Sequence, residues 1–318
     1  MYCFLFVADP IVQFNLDTDS TFALICAAHA QGFKTHLCTI KDLSINETQQ
    51  VQARCQEIIP KQTKPFSYQL KNQTQVKLGH NMIVLIRQDP PVNSDYLHAC
   101  LILQQAVGQG TTVLNPPQAL LTLNEKLYPL HFAPWIPETL VTASIDDINS
   151  FLKTHTQIIV KPIDGHAGKS VFLLHPNDTN KMPILEHLTN HFSRPIIVQK
   201  YLSSVKQGDK RVILGNGQIL GVFNRIPKKN EHRSNLRVGG TAQQTMLTTK
   251  EHALCQALSQ DLKQQRLWFV GIDLIEEKLT EINITSPTGI REIEALTGHN
   301  IATALITQAI DYVHQTNF

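Results

Sequence analysis

A strand, a helix and a second strand follow one another within the first forty residues, and this order constrains the fold more than any other feature. Residues 2–8 are almost all apolar and predict a buried strand, which Asp9-Pro10 ends. Residues 20–31 predict a helix stopped by Gly32, and residues 35–40 predict the next strand. Because strand–helix–strand units build parallel sheets, the sequence predicts an α/β domain with a mainly parallel sheet.

The rest of the first part continues this pattern. Further strands are predicted at residues 81–86 and 111–114, with a helix at 94–107 between them. Residues 44–76 are rich in glutamine and have no clear period, so no element is assigned to them. The prolines of Asn115-Pro-Pro117 indicate a domain junction.

Beyond this junction, short strands joined by turns predict a mostly antiparallel α+β region. The predicted strands cover residues 157–161, 170–174, 195–200, 211–214 and 218–223. The predicted helices cover residues 117–128, 145–154, 182–190, 250–265 and 298–314.

Composition excludes several classes of protein. A chain of 318 residues with 42% hydrophobic content is long enough for two or three domains. A formal net charge of +2 argues against general binding of nucleic acid or membranes, and no apolar run is long enough to span a bilayer. The six cysteines lack the spacing of a zinc site and predict buried thiols in the reducing cytoplasm.

Residues 279–287 alternate between polar and apolar side chains, as on a half-buried strand. Side chains two positions apart share a face, so Glu281 and Asn283 point into one space. Asp273, which follows another strand-like run, adds a third oxygen ligand. Such oxygens suit Mg²⁺ that also holds nucleotide phosphates. The alternative is that all three are polar residues on the wet face of a sheet.

A second candidate site is the small-residue turn of residues 161–170. Gly165 and Gly168 lie between two predicted strands and allow backbone N–H groups to approach phosphate, with Lys161 adding a positive charge. The turn is not a Walker A loop, because position 163 is Ile and a strand follows instead of a helix. An ordinary hairpin is the alternative.

Three further segments complete the candidates. Lys126 is predicted on the preceding helix, where a solvated helix lysine is the alternative. The strand ending at residues 199–202 offers backbone that can read an adenine edge, with a plain buried strand as the alternative. Residues 225–241 are long, basic and without period, and they end in a Gly pair. This segment predicts a cationic lid that closes over phosphates, with a mobile surface loop and a nucleic-acid patch as alternatives.

Taken in order, these motifs resemble the bacterial glutathione synthetases of the ATP-grasp superfamily. The resemblance covers nearly the whole chain. The blocks that carry it are Arg87-Gln-Asp-Pro-Pro91, Asn124-Glu-Lys126, Pro137-Glu-Thr-Leu-Val-Thr142, Val160-Lys-Pro162, Gly208-Asp-Lys-Arg-Val212 and residues 279–294.

The resemblance implies an α/β N-terminal parallel-sheet domain followed by an α+β ATP-grasp module of two subdomains. The implied boundaries are 1–122, 123–202 and 203–318, the last with a lid loop at 225–241. The implied activity joins γ-glutamylcysteine to glycine through an acyl phosphate, with ATP and Mg²⁺ or Mn²⁺. The family also implies a homo-oligomer, with a tetramer as its form.

Position by position, the resemblance assigns roles to individual residues. Metal ligands would be Asp273, Glu281 and Asn283, and the groups facing the transferred phosphoryl or acyl phosphate would be Arg211 and Arg225. ATP would contact Lys126, Lys161, Gly165, Gly168, Gln199, Lys200, Tyr201, Leu202 and Asp209, the last at the ribose. The peptide substrate would contact Arg87, Arg233, Ser286 and Thr288.

The chain also departs from the family pattern. The usual Asp-Gly-Met-Gly-Gly loop is Asp164-Gly-His-Ala-Gly168, and the lid carries Arg233-Ser-Asn235 and Gly239-Gly-Thr241. Two alternatives to glutathione synthesis stay open. One is a related ligase with another acceptor, for example glutamate addition to a protein C-terminus; the other is a non-catalytic nucleotide-binding regulator.

Overall fold

The computed structural model describes residues 2–229, 231 and 233–316. Within these residues, sixteen strands form three sheets and eight α-helices pack against them. No helix in this part of the chain is both long enough and apolar enough to cross a membrane.

The first sheet is built from the amino-terminal part of the chain. Its strands are β1 (Cys3–Ala8), β2 (Lys34–Cys38), β3 (Leu43–Ile45), β4 (Val51–Lys61), β5 (Ser67–Lys77), β6 (Met82–Arg87) and β7 (Thr112–Leu114). The central strands β2, β1, β6 and β7 are parallel, as predicted, while β3, β4 and β5 extend the sheet in antiparallel fashion. Its helices are α1 (Ser20–Ala30), α2 (Ser94–Gly108) and α3 (Pro117–Thr122).

Helices cover both faces of this sheet, so alternate residues of β1 enter different cores. Leu5 and Val7 pack in the core that contains α2 residues such as Leu103. Phe4 and Phe6 pack in the core that contains Phe22 of α1. The near-continuous apolar run of β1 is what a parallel strand buried on both faces requires.

The second sheet is small and has its own core. Its strands β8 (Thr139–Thr142), β9 (Ile158–Pro162), β10 (Phe172–Leu174) and β11 (Ile196–Lys200) run antiparallel in the order β10-β9-β11-β8. The helices α4 (Ile145–His155) and α5 (Lys181–Leu188) supply Ile148, Leu152 and Leu185 to this core.

The third sheet is fully antiparallel in the order β14-β13-β12-β15-β16. Its strands are β12 (Asp209–Gly215), β13 (Gln218–Ile226), β14 (Thr241–Gln244), β15 (Phe269–Ile275) and β16 (Lys278–Asn283). The remaining helices are α6 (Thr249–Gln264), α7 (Ile290–Thr297) and α8 (Ile301–Thr316). Ile301 and Leu305 of α8 share a core with Phe22 of α1, so the last helix packs against the first.

The structure corrects four predicted elements. The helix predicted at 117–128 ends at Thr122, so Lys126 lies in a turn and not on a helix. The helix predicted at 298–314 begins at Ile301, and α7 precedes it. Residues 44–76, left unassigned, form β3 and most of the β4–β5 hairpin. The strand predicted at 279–287 ends at Asn283.

Candidate active site

One continuous cleft lies where the three sheets meet, and it has three compartments. The outer compartment is bordered by Ile159, Lys161, Gly168, Val171, residues 199–202, Val205, Asp209, residues 233–235, Asp273, Ile275, Thr280 and Glu281. The central compartment is lined by Lys126, His166, Arg211, Arg225, Glu281, Asn283, Ser286 and Thr288, among others. The inner compartment is lined by Asp19, Thr21, Arg87, Asp89, Arg237, Ser286, Thr288 and Glu292, among others. Glu281 borders the first two compartments, and Ser286 and Thr288 border the last two.

The outer compartment is an apolar slot with a charged end. Ile159, Leu202 and Ile275 line it from both antiparallel sheets. The backbone N–H groups of Lys200 and Tyr201 donate to carbonyls of Glu138 and Gln157, so these two donors are not free to read a base. The Gln199 side chain donates to Thr139 Oγ1 at 2.8 Å. An apolar slot with few polar groups at its edge suits a flat heterocycle.

Two buried lysines converge on Glu281 at the charged end. Nζ of Lys126 lies 3.6 Å from Glu281 Oε1, and Nζ of Lys161 lies 3.9 Å from the same atom. Burial lowers the pKa of Lys161, and the Glu281 carboxylate partly offsets this effect. Lys126 is aimed here by a turn, because the Asn124 side chain accepts from the N–H groups of Lys126 and Leu127.

The small-residue turn next to these lysines has left-handed backbone at three positions. The φ angles are 53° at Ala167, 72° at Gly168 and 56° at Ser170. The left-handed backbone at Gly168 favours glycine, because an L side chain there would be strained. Lys126 Nζ donates to the carbonyl of Gly165, so the turn is tied to the lysine pair.

Two arginines and two aspartates form a buried network between the outer and central compartments. Arg211 donates to Asp273 from Nε at 2.5 Å and from Nη2 at 3.1 Å, and Arg225 Nη2 lies 3.0 Å from Asp273 Oδ1. Arg225 also binds Asp209, which accepts a further bond from Ser234 Oγ at 2.8 Å.

This network sets the ionisation of both carboxyl groups. Burial opposes ionisation of Asp273, but Arg211 and Arg225 outweigh it and lower the pKa to about 2. Burial dominates at Asp209 and raises its pKa to about 6 despite Arg225. Asp209 borders the outer compartment, and its Oδ1 is buried without a hydrogen-bond partner in the described structure.

The three predicted metal ligands share one face of the third sheet. Asp273 on β15 is the register partner of Glu281 on β16, and Asn283 lies two residues further along β16. Carboxylate and carboxamide oxygens are ligands that Mg²⁺ and Mn²⁺ accept. The donor set therefore fits a divalent metal, although the oxygens of Asp273 already accept from Arg211 and Arg225.

The inner compartment holds three of the four residues predicted for a peptide substrate. Arg87 donates from Nε to Thr21 Oγ1 at 3.1 Å and from Nη2 to the Pro287 carbonyl at 2.8 Å. Ser286 and Thr288 flank that carbonyl. The fourth predicted residue, Arg233, lies instead at the outer compartment, where it pairs with Glu231 and donates to the Gly168 carbonyl at 3.3 Å.

The segment predicted as a lid lies along the outer and central compartments. Its ends belong to the third sheet, because Arg225 lies on β13 and Thr241 begins β14. Arg237 pairs with Asp89 across the cleft. Asn230 and His232, which also fall in the predicted lid, lie outside the described residues.

Sequence reasoning missed Glu125, which shapes the central compartment. Its Oε1 accepts from the backbone N–H groups of Ile284 and Thr285 at 2.8 and 2.9 Å, and from Thr285 Oγ1. This clamp holds the segment that follows β16. Glu125 lies within the motif Asn124-Glu-Lys126, but no local pattern indicates which backbone a carboxylate will clamp.

Comparison with known proteins places two family models along the chain. The model described as the N-terminal domain of prokaryotic glutathione synthetase matches residues 3–120, and the model of its ATP-grasp domain matches residues 125–298. The glutathione synthetase of Buchnera aphidicola subsp. Baizongia pistaciae is 36% identical over 302 residues, covering 94% of this chain and 93% of the relative. That of Vibrio parahaemolyticus is 38% identical over 290 residues, covering 91% and 92%.

Solved structures with low sequence identity share the fold. The D-cycloserine synthetase DcsG has a TM-score of 0.67 at 16% identity, covering 96% of this chain and 99% of its own. The macrocyclase MdnC from Microcystis aeruginosa, bound with precursor peptide MdnA, has a TM-score of 0.63 at 16% identity, covering 98% and 100%.

Proposed function

This chain belongs to the prokaryotic glutathione synthetase family, and we propose that its cleft joins γ-glutamylcysteine to glycine with cleavage of ATP to ADP and phosphate. The observation that carries the proposal is the order of the three compartments. An apolar slot, a cluster of cations with carboxylates, and a pocket built around Arg87 follow one another in one cleft. This is the order in which base, phosphates and acid substrate must lie for phosphoryl transfer to a carboxylate.

The central compartment suits the first step, in which a carboxylate oxygen of the peptide attacks the terminal phosphorus of ATP. The new O–P bond forms the acyl phosphate, and the bond from that phosphorus to the bridging oxygen breaks, so that ADP leaves. Several negative charges meet there, so positioned cations supply most of the stabilisation. Lys126 and Lys161 would hold phosphate oxygens, and Arg211 and Arg225 would face the transferred group. Their fixed ion pairs keep both guanidinium groups in place before the substrate arrives.

The second step forms the amide. The glycine nitrogen loses a proton and attacks the acyl carbon, the new C–N bond forms, and the C–O bond to phosphate breaks. Water would compete for the acyl phosphate, so closure of residues 225–241 over the cleft would protect it. Arg87, Ser286 and Thr288 would hold the peptide; Arg233 sits beside the nucleotide compartment, so its contact with the peptide would require movement of the lid.

We assign Glu281, Asn283 and Asp273 as the side chains that would hold Mg²⁺ or Mn²⁺. Such an ion neutralises phosphate charge when bound. The backbone around Gly165 and Gly168, and residues 199–202 with Asp209, would border the nucleotide. We further propose that the protein acts in the cytoplasm, because ATP is a cytoplasmic substrate and the six cysteines are free thiols. We also propose that it forms a homo-oligomer, as the family resemblance implies.

Release of ADP by the purified protein tests this function across pairs of acid and amine. We expect turnover with γ-glutamylcysteine plus glycine, and glutathione in amounts equal to ADP. If another acid and amine pair supports turnover and this pair does not, the chain is a ligase with a different acceptor. If ATP binds and no pair releases ADP, it is a nucleotide-binding regulator.

A further inference from the structure

Of the described residues that line the central compartment, one is a histidine, His166, on the small-residue turn. The turn fixes its place, because the N–H of Lys169 donates to the His166 carbonyl at 3.0 Å and Lys126 Nζ donates to the carbonyl of the neighbouring Gly165. The usual loop of the family has methionine at this position, so the imidazole is a departure of this chain. It gives the compartment a titratable group that the usual loop lacks.

Charged side chains from four segments face the His166 ring. Burial lowers the pKa of His166, and so do Lys169 on the same turn, Arg237 in the segment 225–241 and Lys126. Asp89, which follows β6, opposes them. No described residue forms a hydrogen bond with either ring nitrogen. The ring is therefore neutral at neutral pH, and one of its nitrogens is free to accept a proton.

The carboxylates of the central compartment are already engaged. Glu125 clamps the backbone that follows β16, and Asp89 pairs with Arg237. Glu281 faces the two buried lysines and is assigned to the metal. The remaining titratable side chains of the described lining are lysine and arginine, which are charged. In this part of the structure, His166 is thus the one base of the compartment that is neutral and unpaired.

The proposed reaction needs such a base in its second step. The α-amino group of a free amino acid is mostly protonated at neutral pH, and an ammonium group has no lone pair with which to attack. We infer that His166 accepts the proton that the amine of the second substrate loses before it attacks the acyl phosphate. This inference rests on the proposed function, in which that amine belongs to glycine.

The protons and bonds of this step balance without a further reactant. One proton of the ammonium group moves to the imidazole, and the freed lone pair forms the C–N bond as the C–O bond to phosphate breaks. A second proton of the nitrogen goes to the departing phosphate, which leaves as hydrogen phosphate. The charge of the phosphate groups stabilises the imidazolium while they are bound. Lys126, Lys169 and Arg237 then favour return of its proton to water.

The test uses two replacements of His166 and two acceptors. His166→Met installs the residue of the usual loop, so the turn should keep its shape. His166→Gln keeps a hydrogen-bonding side chain that accepts no proton at neutral pH. His252→Gln is the control, because His252 is exposed on α6 and lies outside the cleft. The acceptors are glycine and hydroxylamine, whose nitrogen is largely unprotonated at neutral pH and needs no base.

We expect kcat/KM for glycine at pH 7 to fall about 10²-fold in both His166 variants, the size of a lost general base. The deficit should narrow at least about 10-fold by pH 9, because more of the glycine is then unprotonated. The value for hydroxylamine should change less than about 3-fold, the smaller effect expected where no proton must be removed. KM for ATP should stay the same, and His252→Gln should follow the wild type throughout.

Three results would overturn the inference and leave the proposed function in place. Equal losses with both acceptors would assign His166 to phosphoryl transfer or to the shape of the turn. A deficit with glycine that is the same at every pH would do so as well, even if the wild type does not use hydroxylamine. Unchanged activity with glycine would remove His166 from the reaction. Wild-type protein that does not join γ-glutamylcysteine to glycine would overturn the proposed function itself.

Discussion

Glu281 is the residue at which the charges of the cleft meet. Its carboxylate faces Lys126 and Lys161, and across the sheet it is the register partner of Asp273. Without nucleotide, the carboxylate neutralises the two buried lysines. We propose that bound ATP changes its role, because phosphates would then face the lysines and leave Glu281 to hold the metal.

Replacing Glu281 by Ala should lower turnover about 10³-fold, because a metal ligand and the charge balance of the phosphate site are lost together. Asn283→Ala should act in the same direction but less, by about 10–100-fold, since only a neutral ligand is removed. ADP release at saturating Mg²⁺ measures both effects. Circular dichroism should show a folded protein; wild-type activity in a folded Glu281→Ala variant would contradict the metal assignment.

At the scale of elements, the segment of residues 225–241 joins parts of the molecule that are far apart in sequence. Ser234 is buried against Asp209, and Arg237 pairs with Asp89, which follows β6 of the first sheet. Lys228 and Lys229, by contrast, are exposed. The described part of the segment is therefore anchored near its second half and accessible near its first.

Trypsin should cut the ligand-free protein first after Lys228 or Lys229, and later after Arg233 or Arg237, which are ion-paired. ATP with γ-glutamylcysteine should slow this cleavage about 10-fold if the segment closes over them. Mass spectrometry of the fragments gives the sites. Cleaved protein should release ADP without forming amide; identical cleavage with and without ligands would leave no role for closure.

His36 on β2 gives a prediction for pH. It is the register partner of Glu57 on β4, and burial lowers its pKa below the ordinary value. The unfolded chain therefore takes up a proton more readily than the folded one. Stability contributed by neutral His36 is complete above pH of about 6.5 and is lost as pH falls toward the folded pKa.

The free energy of unfolding should accordingly depend less on pH in His36→Gln than in the wild type. Urea unfolding at pH 7.5 and pH 5.5 measures this difference. His299→Gln, an exposed replacement, is the control and should follow the wild type. Parallel curves for wild type and His36→Gln would show that this histidine is not the group that titrates.

Elements with a clear apolar pattern could be predicted from the sequence, and those without one could not. The parallel strands β1 and β6 are continuous apolar runs, so they were placed within two residues. β5 is exposed along most of its length and thus carries no alternation to detect. The predicted helix 117–128 was too long, because the Asn124 side chain forms a turn that competes with helical hydrogen bonds.

Site prediction was limited in a similar way. Glu281 and Asn283 could be paired because two residues along a strand share a face, and register partners from β15 complete the set. The binding of Arg211 and Arg225 to one aspartate depends on the alignment of three strands, which no local pattern encodes.

At the scale of the whole molecule, Asn115 joins the first and third sheets. Its side-chain oxygen accepts from the N–H groups of Trp268 and Phe269 at 2.7 and 2.9 Å. Its side-chain nitrogen donates to the carbonyls of Phe269 and Ile284, both at 2.8 Å. These four bonds use both acceptor lone pairs and both N–H donors of the Asn115 amide.

Asn115→Ala should lower the free energy of unfolding by about 2–4 kcal/mol, because buried backbone groups of both strands lose their partner. Urea unfolding followed by fluorescence measures the change. Asn72→Ala on the exposed strand β5 is the control and should shift stability by less than about 0.5 kcal/mol. A similarly small change at Asn115 would mean that water or other groups replace the amide.

The contacts of Arg87 have a consequence for the order in which the protein is made. Arg87 Nη2 binds the carbonyl of Pro287, 200 residues later, and Ser20 Oγ accepts from the N–H groups of Gly289 and Ile290. A ribosome adding about 5–20 residues per second takes roughly 10 to 40 s to cover that interval. The first sheet can fold early in synthesis, but its pocket gains a wall only after residues 287–290 have been made. A nascent chain therefore has no complete cleft in which ATP could be cleaved prematurely.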